Sequence, residues 1–121
     1  SLPPMDPIQE LRDGPYPARK PHPDTLANKI ILLDMRSREE YYQGHIKNAL
    51  CFPGSNVSVD HEFGKLNLVR NHPDKLLVIY CDDERHGILQ ARVVFEKGFD
   101  NVYLLSGGYI IFKKEHPDLI Q

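Results

Sequence analysis

The chain has 121 residues, with 15 Lys and Arg against 17 Asp and Glu and a formal net charge of −2 with histidine neutral. That length holds one hydrophobic core and not two, and cations scattered along the whole sequence offer no basic face to nucleic acid or an anionic membrane. The 2 cysteines make no disulfide framework, no Cys/His spacing suits zinc, and no apolar stretch approaches membrane-spanning length, so neither metal nor cofactor is expected and the setting reads as reducing and cytoplasmic.

Residues 1–23 carry prolines at Pro3, Pro4, Pro7, Pro15, Pro17, Pro21 and Pro23, which remove backbone donors and exclude a long helix. This segment is an arm or a linker, with Ile8, Leu11 and Tyr16 as the side chains able to anchor it. Its start at Ser1 reads as a cloning remnant or the cut edge of a longer protein. The folded unit is expected over residues 24–121.

Ile30 to Leu33 is an apolar run too short for a helix and reads as a buried strand ending at Asp34. Ser37 followed by Glu40 is a capping box that opens a short helix, which Gly44 ends. Ala49 to Phe52 is a second brief strand, stopped by Pro53 and Gly54. Residues 55–72 are irregular, with helix expected near their end. Leu76 to Tyr80 is a strand that delivers Cys81, and the chain then runs through Asp82, Asp83, Glu84, Arg85, His86 and Gly87 into a helix from Ile88 to Lys97. Ile88, Ala91, Val94 and Phe95 are expected on its buried face, with Gly98 closing it. Val102 to Leu105 is another strand, Ser106 to Gly108 a tight turn, and Tyr109 to Glu115 a terminal helix ended by Pro117.

Strands alternating with helices imply an α/β fold with a central, mainly parallel sheet and helices on both faces. Ligands of such sheets sit beyond the carboxyl ends of the strands. Asp34, Cys81 and Ser106 all fall at those ends. A thiol on a partly exposed strand-to-helix turn faces backbone N–H groups and a helix N-terminus, a place suited to a thiolate or persulfide. Three acids oppose it: a helix N-terminus stabilises an anion by about 0.3–1 kcal/mol, while a carboxylate about 6 Å away at an effective dielectric near 20 opposes it by up to about 3 kcal/mol before screening. Cys51 lies in an apolar strand and reads as a small core residue, and His45 as a structural histidine bonded to backbone.

The segment Asp34-Met35-Arg36-Ser37-Arg38-Glu39-Glu40-Tyr41, with Gly44-His45-Ile46, resembles the first motif of rhodanese-like domains. Val78-Ile79-Tyr80-Cys81 resembles the strand that delivers the rhodanese cysteine, and Gly98-Phe99 through Ser106-Gly107-Gly108 is similar to the family's closing motif. The resemblance implies a single rhodanese-like domain in which Cys81 carries a sulfane sulfur as a persulfide. It implies that Asp82, Asp83, Glu84, Arg85 and His86 form the active-site loop, and that Asp34 and Arg36 brace the neighbouring backbone. Partners would then be a small sulfur donor and a thiol acceptor. Departures are also present. Acids stand after the cysteine where sulfurtransferases of the family usually carry Arg, Lys, Gly or Ser, Asn48 stands at a common glycine, and Phe112 at a common tryptophan.

A narrower resemblance lies in the Asp82-Asp83-Glu84-Arg85 loop and the Pro15 to Pro23 stretch. Both are similar to the rhodanese-like domain of a eukaryotic centrosomal and ciliary protein linked to tubulin glutamylation. It implies a non-catalytic interaction module of a larger cytoskeletal or ciliary protein, with a basic protein partner or tubulin-associated machinery. A cysteine phosphatase is the third alternative and the least favoured. Its loop needs an arginine six positions after the cysteine, where this chain has Gly87.

Overall fold

The computed structural model describes residues 29–54, 66 and 69–121. The expectations for the proline-rich arm over residues 1–23, and for most of 55–72, fall outside the described residues.

Four strands form one parallel sheet: β1 (Ile30–Asp34), β2 (Leu50–Cys51), β3 (Leu76–Tyr80) and β4 (Val102–Leu104), in the order β2-β1-β3-β4. Helix α1 (Arg38–Gln43) follows β1, α2 (Glu84–Glu96) follows β3, and α3 (Gly108–Glu115) follows β4. The two central strands pair over their full length, from Ile30 against Leu76 to Asp34 against Tyr80. Because side chains alternate along a strand, each strand feeds two cores. Ile31, Leu33, Leu50, Leu77 and Ile79 lie in the cluster that also holds Val94 of α2 and Phe99. Cys51 and Tyr80 lie in the opposite cluster, with Tyr41 of α1 and Tyr109 of α3. The helices therefore cover both faces, as the alternation of apolar strands and helices requires.

Ser37 caps α1 as read from the sequence: its Oγ accepts from the Glu40 N–H, and the Glu40 carboxylate accepts from the Ser37 N–H. The buried face of α2 differs from the expected one. Gly87 and Val94 are buried and Ala91 packs against the core, whereas Ile88 is 44% and Phe95 60% exposed. The cause is Gly87: a Cβ there would sit 2.6 Å from Leu104 Cδ1, so its absence lets the helix settle on β4 along the 87-91-94 stripe. Residues 88 and 95 lie one helical step, about 100°, off that stripe.

The chain end returns to the site. Gln121 and His45 exchange backbone hydrogen bonds of 2.7 and 3.1 Å, and the Lys47 N–H donates to the Leu119 carbonyl at 2.8 Å. This antiparallel bridge fixes the Gly44–Ile46 segment beside the ends of β1 and β3. Among the described residues no helix is long and apolar enough to cross a membrane.

Candidate functional site

The floor of the site is a buried ion pair. Asp34, at the end of β1, is fully buried, and Arg36 is only 7% exposed. Arg36 Nε donates to Asp34 Oδ1 at 3.0 Å and Nη2 to Oδ2 at 2.7 Å, and the Arg36 backbone N–H adds a further bond to Oδ1. Tyr80, at the end of β3, donates its hydroxyl to Asp34 Oδ2 at 2.7 Å, while that hydroxyl accepts from the Ile46 N–H. Arg36 Nη2 also donates to the Gly44 carbonyl, and the guanidinium lies over the Tyr109 ring, 3.8 Å from its centroid. Burial works against the charged guanidinium, but the Asp34 hydrogen bonds and charge outweigh it and hold Arg36 protonated. Asp34 and Arg36 thus pair with each other through two side-chain contacts. Arg36 braces the Gly44 carbonyl and the Asp82 carboxylate.

Cys81 follows directly on β3. It is 7% exposed and belongs to the core cluster of Leu77 and Ile79, so it is not on a partly exposed turn. Burial, followed by the negative charges of Asp34, Asp82 and Asp83, pushes its thiol up to about 11, with Arg36 pulling the other way. The residues after it form a shorter loop than the motif suggests, because α2 begins at Glu84. Asp83 is the reason. Its Oδ1 accepts from the His86 N–H at 2.8 Å as an N-cap, and the His86 ring Nδ1 lies 2.8 Å from the same oxygen. These contacts with His86 hold the Asp83 carboxyl below its usual range.

The remaining loop residues part company. Asp82 turns into the site, 3.5 Å from Arg36 Nη1. Glu84 turns away, its Oε1 accepting from Ser106 Oγ at 3.2 Å and from the Gly107 N–H at 3.0 Å, where it ties the start of α2 to the turn before α3. Arg85 is exposed and borders no part of the site. Two loop carbonyls face α3: the Tyr109 N–H donates to the Cys81 carbonyl at 2.9 Å and the Ile110 N–H to that of Asp82 at 3.0 Å.

Above this floor opens a cleft of about 460 Å³. Of the residues expected from sequence, Arg36, Cys81, Asp82, Asp83 and His86 line it; Asp34 supports it from below; Glu84 and Arg85 lie outside the lining. Glu40, Met35, Leu89 and Ile110 also line it and were not assigned to the site from sequence. Glu40 was visible there only as a cap, yet its carboxyl meets that of Asp82. Hydrogen bonding between the two holds Glu40 low, while burial and then Glu40 hold Asp82 high. Tyr80 and Tyr109, the aromatic partners of the ion pair, were read only as strand and helix residues. Cys51 is buried, its thiol pushed up to about 11 chiefly by burial, and His45 Nδ1 lies 2.9 Å from the Tyr41 carbonyl with its ring stacked on Tyr41, in line with the structural readings of both. Among the described residues no group of His, Cys, Asp and Glu is arranged to hold a metal ion.

The thiol environment has a measurable consequence. The rate of Cys81 alkylation, followed by peptide mass spectrometry against pH, is expected to rise with a midpoint near 11 rather than at the free-thiol value of about 8.5. Asp82→Asn is expected to lower that midpoint only modestly, since burial is the leading cause. A midpoint at or below the free-thiol value would contradict the assignment.

A parallel α/β sheet with a cysteine at the carboxyl end of a central strand, over a buried Asp-Arg pair, defines the class of the domain. The model of the rhodanese-like domain matches residues 22–115, and the chain belongs to that family. It is 32% identical over 106 residues to the human Centrosomal protein of 41 kDa, covering 86% of this chain and 28% of that protein. The chain therefore spans little more than a quarter of that relative. The solution structure of an Anabaena rhodanese-like domain superposes with a TM-score of 0.60 at 20% identity, over 76% of this chain and 67% of that one. A Rhodopseudomonas palustris protein described as a possible tyrosine phosphatase gives a TM-score of 0.61 at 18% identity, over 76% and 71%. Those two likenesses concern the fold alone.

Proposed function

We propose that this domain is a non-catalytic rhodanese-like module of a larger centrosomal or ciliary protein, acting through protein contacts alongside tubulin-associated machinery. The observation that carries the reading is the position of Asp83. Its carboxylate takes the capping place at the start of α2, on the His86 N–H, where a persulfide or an oxyanion would otherwise draw on the helix N-terminus. The nearby cation compensates only in part: Arg36 pulls the thiol down, but it is held by Asp34 through both side-chain oxygens and does not offset burial and the acids. A buried neutral thiol flanked by carboxylates is a poor nucleophile. The likeness to the human Centrosomal protein of 41 kDa supports the setting.

A persulfide carrier is the second reading, favoured by one observation: Cys81 borders the cleft. Thiocyanate release from thiosulfate and cyanide separates the two. The module reading expects the intact chain to match a Cys81→Ala control at low and at high salt. Turnover well above that control at low ionic strength would overturn it, since a dianionic donor must enter past Asp82, Asp83 and Glu40.

A phosphatase has no support from the site. Gly87 is buried against Leu104 at the position that the phosphate-gripping arginine would need, and Arg85 stands outside the cleft.

A further inference from the structure

We infer that the outer edge of β4 is the docking site of this chain's own proline-rich arm, which adds a strand to the sheet through residues 16–22. The inference goes beyond the module reading and does not depend on the chemistry of Cys81. Among the described residues β4 is an edge strand, paired with β3 alone. The Leu77 N–H donates to the Asn101 carbonyl, and the Leu105 N–H to the Ile79 carbonyl. Backbone groups alternate between the two edges of a strand, so Val102 and Leu104 aim their N–H and C=O groups outward, where no hydrogen bond among the described residues meets them. A row of unpaired backbone groups is a template for another strand.

Side chains on both faces of the sheet shape this edge into a groove. On α2, Gln90 points toward the β2 side, since a Cβ on Gly54 would come within 2.5 Å of its Nε2, whereas Glu84 reaches Ser106 and Gly107 just past β4. Ile88 and Phe95 follow Glu84 by four and eleven residues and lie on its flank of the helix, overhanging the open edge. They are 44% and 60% exposed. Val102 packs on the core beneath α2, so Tyr103 points to the opposite face, where it is 54% exposed. Unpaired backbone between two exposed apolar walls suits an extended segment, which hydrogen-bonds along the edge and buries both walls.

The arm fits this edge by its parity. Pro15, Pro17, Pro21 and Pro23 all occupy odd positions, while Tyr16, Ala18, Lys20 and His22 between them keep their N–H groups. A strand over this stretch turns every proline to one edge and an unbroken set of donors to the other, the arrangement in which proline is tolerated at the margin of a sheet. A polyproline helix repeats every three residues and gains nothing from a spacing of two. The prolines on the far side would also leave few donors for any further strand. The described chain begins at Lys29, beside β1. Three strand spacings, about 14 Å, separate β1 from the place beyond β4, and residues 23–28 span about 20 Å when extended, so the arm reaches it.

The test is amide hydrogen exchange of the isotope-labelled 121-residue protein, read residue by residue by NMR. The expected result is slow exchange at the Val102 and Leu104 amides, at a rate independent of protein concentration. Ala18→Pro removes a donor from the middle of the inward set and is expected to speed exchange at both amides by about tenfold or more. Arg19→Pro, whose N–H faces away from β4, is expected to leave both unchanged. Amides of β1 and β3, with a thermal melt, check that each variant keeps the fold. Exchange at Val102 and Leu104 as fast as that of exposed amides in the parent chain would overturn the inference. So would protection that grows with protein concentration, which would make a second copy the occupant. Protection that Ala18→Pro leaves intact, or that both proline variants remove alike, would overturn it as well.

Discussion

Asp34→Ala is expected to destabilise the domain by about 3–5 kcal/mol, the usual cost of removing one member of a buried ion pair. Asp34 is fully buried and accepts from the Arg36 side chain, the Arg36 backbone and the Tyr80 hydroxyl at once. Truncating it leaves a guanidinium without its counter-ion and a phenol without its acceptor, in a place closed to water. The loss should appear as a fall in melting temperature of about 10–20 °C for a domain of this size. Asp34→Asn, which keeps the shape and part of the hydrogen bonding, should fall between the two. A melt within about 3 °C of the parent would show that Arg36 finds solvent or another acid, and would remove the ion pair as the support of the site.

Gly108→Ala is the second large effect. Gly108 has φ +72°, and a Cβ there would lie 2.7 Å from both the Asp82 carbonyl oxygen and the Asp83 Cα. Those are backbone atoms, which cannot rotate out of the way as a side chain can. The substitution combines left-handed strain of about 1–3 kcal/mol with a forced separation of α3 from the cysteine loop. It should break the bonds from the Tyr109 and Ile110 N–H groups to the Cys81 and Asp82 carbonyls. We expect a loss above about 3 kcal/mol by denaturant unfolding, and faster amide exchange at Tyr109 and Ile110. A stable variant with both amides still protected would mean that the loop and α3 are not held together by this close approach.

Much of the fold was legible because apolar runs of strand length, such as Ile30 to Leu33 and Leu76 to Tyr80, have few alternatives when they are too short for a helix and polar residues stand close on either side. The capping box at Ser37 was legible for the same local reason. The buried face of α2 was not, since it depends on how closely Gly87 approaches Leu104, a tertiary fact that periodicity in Ile88, Val94 and Phe95 does not carry. Asn48 illustrates a departure that the fold explains: its φ is +68°, so the position needs left-handed backbone, which asparagine tolerates and glycine favours.

At the site, the strand-end positions of Asp34 and Cys81 and their closeness to Asp82 followed from parallel-sheet topology. What the sequence could not assign was the direction of each acid. Asp82, Asp83 and Glu84 are consecutive, yet one faces Arg36, one caps α2 and one reaches Ser106 and Gly107. Glu40 was hidden because one carboxylate served two purposes, a cap visible in the local motif and a cleft wall visible only in three dimensions.

The central claim is that burial of Cys81, together with the acids around it, leaves its thiol unable to carry sulfur while the rhodanese-like scaffold is kept. Intact-mass spectrometry of the reduced, folded chain after incubation with thiosulfate, and separately with a low-molecular-weight persulfide, tests it in a single turnover. The account predicts no added sulfur atom on Cys81 at neutral pH with either donor. A stoichiometric gain of one sulfur, mapped to Cys81 and absent from Cys81→Ala, would contradict it.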